Sequence, residues 1–152
     1  MLGLDEHGIR NLSRPAFEQF MEMKFRQENL ILGHTPIIVT TCNSANNRRL
    51  RDYRFKKVII DEATQAQELE TLLVMKNAEQ VVLIGDHKQL GPIYKNTVPK
   101  CDSMFSRLVE AKYSNFTMLT TQYRMHPYLL QVPNTLFYDG VIDSGYVQSI
   151  SN

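Results

Sequence analysis

Residues 57–66 read KVIIDEATQA. The stretch Lys57 to Ile60 is a short apolar run rich in β-branched residues, which suits a strand better than a helix. Asp61 and Glu62 follow it directly. In open parallel sheets, ligands collect where the strands end. An acid placed there is suited to holding magnesium, and its neighbour to polarising a water for attack on a phosphate. The same pair also suits the solvated start of the next helix, where carboxylates complement the helix dipole. Taken alone, the pair leaves both readings open.

The flanking sequence predicts alternating helices and strands. Ser13-Arg14-Pro15 reads as a helix start. Phe17, Phe20, Met21 and Phe25 then form one apolar stripe, and the helix is expected to end near Gly33. Thr35 to Thr41 (TPIIVTT) reads as a buried strand. Gln65 to Lys76 reads as a helix, with Ala66, Leu69, Leu72 and Leu73 on one face. Val81 to Ile84 is a third strand, stopped by Gly85. Ser103 caps a further helix carrying Met104, Phe105, Leu108 and Val109. Phe116 to Leu119 reads as a fourth strand. His126-Pro127 opens a short helix expected to end at Pro133, and Asp139-Gly140 and Ser144-Gly145 are turn signals. This alternation predicts an α/β fold, with a parallel sheet covered on both faces.

Two further loops carry unusual chemistry. After the third strand comes GDHKQLGP, residues 85–92. Gly85 lets the chain turn out of the sheet. Asp86 and Gln89 then stand beside the first acidic pair if the two strands are neighbours. A glutamine there can hydrogen-bond a terminal phosphate or the attacking water. A plain surface turn needs no His-Lys-Gln between its glycines. After the fourth strand comes QYRMHP, residues 122–127. Arg124 in such a place can act as an arginine finger, and Tyr123 can stack on a base. For the isolated pair, a surface salt bridge for Arg124 and core packing for Tyr123 are the better reading.

Bulk composition excludes more than it selects. The 152 residues carry a formal net charge of +1, so overall charge points to neither nucleic acid nor membrane. No apolar run approaches the ~20 residues of a membrane span. Two cysteines, Cys42 and Cys101, are too few for a disulfide framework. Four scattered histidines have no zinc-ligand spacing. A cytoplasmic protein is expected, with the nucleus as the alternative. Arg48, Arg49, Arg51, Arg54, Lys56 and Lys57, with Tyr53 and Phe55 among them, form a basic stretch. It suits a phosphate backbone, but a solvated connection between strands is the better reading of its composition.

Taken together, DEATQA (61–66), GDHKQLGP (85–92) and QYRMHP (122–127) resemble helicase motifs II, III and IV of the up-frameshift/senataxin branch of superfamily 1. Their order and spacing match. SMFSRLVE (103–110), PNTLFYDG (133–140) and TTCNSA (40–45, similar to motif Ic) extend the resemblance over residues 34 to 145. It implies a RecA-like, P-loop NTPase fold, incomplete in this chain. The implied division is an N-terminal helical segment at 1–33, part of a first RecA-like domain at 34–121 and the start of a second at 122–152.

The activity implied is ATP hydrolysis coupled to 5′-to-3′ unwinding, with ATP and Mg²⁺ as cofactors and single-stranded RNA or DNA as partner. Protein partners in a nonsense-mediated mRNA decay complex are implied as well. Asp61 and Glu62 become the magnesium-binding and catalytic acids. Asp86 lines the nucleotide, Gln89 senses the γ-phosphate, Arg124 contacts it and Tyr123 stacks on adenine. Thr40, Thr41 and Cys42 lie toward the nucleic acid. No GxxxxGK[ST] occurs in the 152 residues, and the resemblance places that loop and motifs V and VI beyond this stretch. Little ATPase activity is therefore expected of these residues alone. The alternative expectation is a degenerate helicase-like module that binds RNA or protein without turnover.

Overall fold

The computed structural model of the chain describes residues 12–50, 53–94, 103–113 and 115–145. Arg51 of the basic stretch and Cys101 fall outside them. Backbone contacts divide the chain into two compact units, Met1–Val58 with Leu69–Val82 and Ile59–Glu68 with Leu83–Asn152.

In the first unit, α1 (Arg14–His34) begins at Ser13 as the sequence predicts. Ser13 makes no side-chain cap bond. The start therefore rests on Pro15, whose fixed φ suits a first turn and whose missing N–H is no loss there. At the other end the last carbonyls are taken up locally. Thr35 Oγ1 donates to Ile31 O at 2.7 Å, and His34 Nδ1 lies 2.8 Å from Leu30 O. No residue of α1 is buried, and Phe17, Met21 and Phe25 of its apolar stripe remain exposed.

The expected strand at 35–41 does not form. Ile37 is 77% and Val39 92% exposed. Branched side chains favour extended backbone, but a strand exists only where a neighbour supplies the ladder. A short helix follows instead, α2 (Cys42–Ala45), capped by Thr41 Oγ1, which accepts the Ser44 N–H at 3.3 Å.

β1 (Phe55–Ile60) and β2 (Ala78–Leu83) form a two-stranded sheet, with α3 (Glu68–Met75) between them in sequence. Phe55 N–H donates to Asn77 O at one end, and Ile84 N–H to Ile60 O at the other. The residue numbers rise together, so the strands are parallel. The expectation of a sheet covered on both faces is corrected: Ile59 is 66% and Val82 43% exposed. Among the described residues, this strand–helix–strand connection supplies one crossover helix.

Among the described residues, the buried apolar ones lie in the second unit: Ile60, Ala63, Met104, Phe105 and Leu130. Met104 and Phe105 open α4 (Met104–Glu110), where Ser103 Oγ accepts the Ser106 N–H at 3.1 Å. The expected strand at 116–119 is extended without pairing, and Leu119 is 82% exposed. Pairing starts just beyond it, where β3 (Thr121–Gln122) runs parallel to β4 (Asp143–Ser144). Between them lies α5 (Pro127–Phe137), which passes through Pro133 and does not end there. Proline leaves the carbonyl four residues back unpaired. That residue is Leu129, itself exposed, so water can take the lost place. The chain turns back after α5 through Asp139 (φ 50°) and Gly140 (φ 74°).

Candidate functional site

The acidic pair lies in a turn, 61–65, and not in the first turn of α3, which begins only at Glu68. The helix-start reading is thereby excluded for Asp61 and Glu62. Both side chains are exposed. Asp61 Oδ1 accepts the Glu62 N–H at 3.0 Å. Glu62 has φ 51°, a left-handed conformation that costs a residue with a Cβ about 1 kcal/mol or more. Gln65 pins it from the other side, N–H to Glu62 O at 2.9 Å and Nε2 to Glu62 Oε2 at 3.2 Å.

The loop after β2 is bound to this turn. Ala63 N–H donates to Ile84 O at 2.8 Å. At Gly85 a Cβ would lie 3.1 Å from both Thr64 Cγ2 and Thr64 N, so a hydrogen is what fits best at this approach. Thr64 is buried, and among the described residues its hydroxyl has no hydrogen-bond partner.

Asp86 organises the second loop. Its Oδ1 accepts Lys88 N–H at 3.0 Å, and its Oδ2 accepts Gln89 Nε2 at 2.9 Å. Oδ2 also accepts the hydroxyl of Tyr138. Burial pushes the Asp86 carboxyl upward. The bonds from Tyr138, Gln89 and Lys88, with His87 nearby, outweigh it and hold the carboxyl below the usual range. The reverse acts on Tyr138: burial first, then the bond to Asp86 and its charge, push the phenol up to about 12, with the Gln89 side chain working the other way.

The third loop is built separately, by Gln122. Its Oε1 accepts the N–H groups of Arg124 and Met125, each at 2.8 Å. Its Nε2 donates to Met125 O at 2.7 Å and to Ser144 Oγ at 2.9 Å. Tyr123 and Arg124 stand outward on this scaffold. Tyr123 is 73% exposed, so it is not the core residue that an isolated Tyr-Arg pair also allows. Its ring lies against Gly145, where a Cβ would come within 2.3 Å of Cε1.

The structure thus ties Asp61-Glu62 to the Asp86-Gln89 loop through backbone, and gives Tyr123 and Arg124 a mount of their own. Thr40, Thr41 and Cys42 belong to the first unit. Thr41 Oγ1 is engaged as the cap of α2, and burial, then the charge of Glu70, push the half-buried Cys42 thiol up. Much of the basic stretch also serves that unit. The Arg48 guanidinium sits 5.8 Å from the Phe25 ring centroid, and Arg49 pairs with Glu28 at 2.9 Å. Tyr53 donates to Asn29 O at 3.1 Å, and Arg54 to Lys76 O at 3.1 Å.

Among the described residues no group of three or more His, Cys, Asp or Glu is placed to hold a metal. Magnesium asks for less, one or two carboxylates beside water and phosphate oxygens. An exposed Asp61 at a strand end meets that need. Sequence reasoning missed Tyr138. It lies within PNTLFYDG, but nothing local marks it as the partner of Asp86.

Two family models, each described as an AAA domain, match residues 4–97 and 101–151. Strand-end acids on a parallel pair and these matches define the class, a P-loop nucleoside-triphosphatase fold of α/β type. Within it, the chain belongs to the Upf1-like helicase family. ATP-dependent helicase upf1 of Schizosaccharomyces pombe is 42% identical over 127 residues, 80% of this chain and 14% of that protein. ATP-dependent helicase NAM7 of Saccharomyces cerevisiae is 38% identical over 142 residues, 90% of this chain and 14% of that protein. Regulator of nonsense transcripts 1 of Caenorhabditis elegans is 40% identical over 136 residues, 86% of this chain and 13% of that protein. The chain therefore spans a small part of the length of the relatives it matches. No described helix is long and apolar enough to cross a membrane.

Proposed function

We propose that this chain carries the metal-facing and water-facing loops of an ATP-dependent helicase acting 5′ to 3′ on single-stranded RNA or DNA. The observation that carries this reading is the backbone tie between the acidic turn and the GDHKQLGP loop, Ala63 N–H to Ile84 O at 2.8 Å, with Gly85 packed on Thr64. It sets two carboxylates and a glutamine loop at the same ends of two parallel strands, where such sheets bind ligands.

Each residue then has a task. Asp61 would hold magnesium, and the ion, when bound, would neutralise charge on the phosphate oxygens. Glu62 accepts at its carboxylate the proton of the water that attacks the γ-phosphorus. Gln89 contacts that water or the phosphate. Arg124 reaches the γ-phosphate from a second RecA-like domain beginning near residue 122, and Tyr123 stacks on adenine. Residues 34–121 form part of the first RecA-like domain, preceded by the helical segment 1–33. Thr40, Thr41 and Cys42 face the nucleic acid. The relatives' names support partners in a decay complex, and a cytoplasmic setting, with the nucleus as the alternative, is part of the same proposal.

The test is RNA-stimulated ATP hydrolysis by the full-length protein and its Glu62→Gln variant. Loss of the general base is expected to lower kcat about 100-fold or more. Turnover by Glu62→Gln at the parent rate overturns the assignment. The 152 residues alone are expected to hydrolyse ATP poorly, because no GxxxxGK[ST] loop is among them.

A further inference from the structure

We propose that Tyr138 is a positioning residue of the nucleotide site: its hydroxyl fixes the Asp86 carboxylate, and Asp86 fixes the amide of Gln89. This inference rests on the functional reading above and deepens it.

Three donors converge on one carboxylate. Lys88 N–H takes Oδ1, while Gln89 Nε2 and the Tyr138 hydroxyl share Oδ2. An ionised carboxylate can only accept. The amide nitrogen of Gln89 must therefore be the end that faces Asp86, which leaves Oε1 as the acceptor of that side chain. That acceptor suits a proton of the attacking water. Asp86, engaged by three donors, acts here as a brace and not as a metal ligand.

Tyr138 is itself held. Asn134 O accepts both Tyr138 N–H at 3.1 Å and Gly140 N–H at 3.0 Å. The Asn134 side chain clamps Ile142 in both directions, Nδ2 to Ile142 O at 2.8 Å and Oδ1 from Ile142 N–H at 3.0 Å. The phenol thus comes from the well-anchored end of α5, the helix that follows the Tyr123-Arg124 loop. It links that part of the chain to the loop bearing Gln89, across 52 residues of sequence. Any motion that carries α5 away removes one donor from Asp86 and loosens Gln89.

The experiment measures RNA-stimulated ATP hydrolysis by the full-length protein, with Tyr138→Phe, Asp86→Asn, the double variant and Glu62→Gln. Tyr138→Phe deletes one hydrogen bond to a charged group and is expected to lower kcat about tenfold, with KM for ATP changed less than about twofold. The acidic limb of its kcat–pH profile should move to higher pH, because Asp86 loses a donor that favours its charged form. Asp86→Asn should match that loss, and the double variant should be no slower than the slower single. Tyr138→Phe at parental kcat, an unmoved acidic limb, or multiplicative losses in the double variant would each overturn the proposal. Thermal melting of each variant separates a loss of fold from a loss of positioning. If Glu62→Gln keeps its turnover, or the parent has none, the functional reading fails and this proposal goes with it. If Glu62→Gln is inert while Tyr138→Phe is normal, only the positioning role fails.

Discussion

Thr64 belongs to the acidic turn, with its methyl toward Gly85 and its buried hydroxyl without a partner among the described residues. An unsatisfied buried hydroxyl costs about 1–3 kcal/mol of desolvation. Thr64→Val keeps the branched shape and removes the polar atom. It is expected to stabilise the protein by about 1 kcal/mol in urea unfolding. A destabilisation of similar size would show that the hydroxyl is bonded in solution. The Asp86-Tyr138 pair makes a pH prediction of definite sign. Asp86 is depressed when folded, so its contribution is present above the unfolded carboxyl value, about 3.9, and is lost as pH falls through the lower folded value. Tyr138 is raised from 10.0 to about 12, so its contribution is complete below the unfolded value and is lost as pH rises through the folded one. Tyr138→Phe should therefore flatten the alkaline fall in stability, read as urea midpoints across that range. An unchanged alkaline limb would place the phenol outside this bond. Glu62 is legible from sequence as an acid after a strand, but its left-handed backbone is not, because only the surrounding bonds impose it.

At the scale of elements, what was readable is what local chemistry decides. Pro15 starts α1, Ser103 caps α4, and Asp139-Gly140 turns the chain by positive φ. The apolar runs at 35–41 and 116–119 read as strands, but neither pairs, since pairing is settled by neighbours and not by composition. Pro133 misled for a related reason. It reads as a stop, and the helix continues because the orphaned carbonyl can reach water. Interior proline costs a helix about 3 kcal/mol relative to alanine, part of which is returned by its rigidity in the unfolded chain. Pro133→Ala is expected to raise stability by about 1–2 kcal/mol in denaturant unfolding. A loss of stability would mean that the bend at Pro133 seats Asn134 and Tyr138. The basic stretch shows the same limit: its charge was visible, but not that Arg48, Arg49 and Tyr53 fasten α1.

For the molecule as a whole, the buried apolar residues among those described and the paired acidic loops fall in one compact unit, Ile59–Glu68 with Leu83–Asn152. The motif order was readable because each motif is a contiguous string. The Asp86-Tyr138 link was not, since its partners lie 52 residues apart. The central claim is that the turn at Asp61 and the loop at Asp86 border one magnesium–phosphate cleft. Iron-mediated cleavage tests it directly. Fe²⁺ takes the place of Mg²⁺ beside ATP in the full-length protein, added hydrogen peroxide oxidises it to Fe³⁺ with release of hydroxide and hydroxyl radical, ascorbate returns the iron to Fe²⁺, and the radicals cut the nearest backbone. Cuts are expected at 60–63 and 84–87, and Asp61→Ala should abolish both. Cutting elsewhere, in a pattern that Asp61→Ala leaves unchanged, would contradict the assignment.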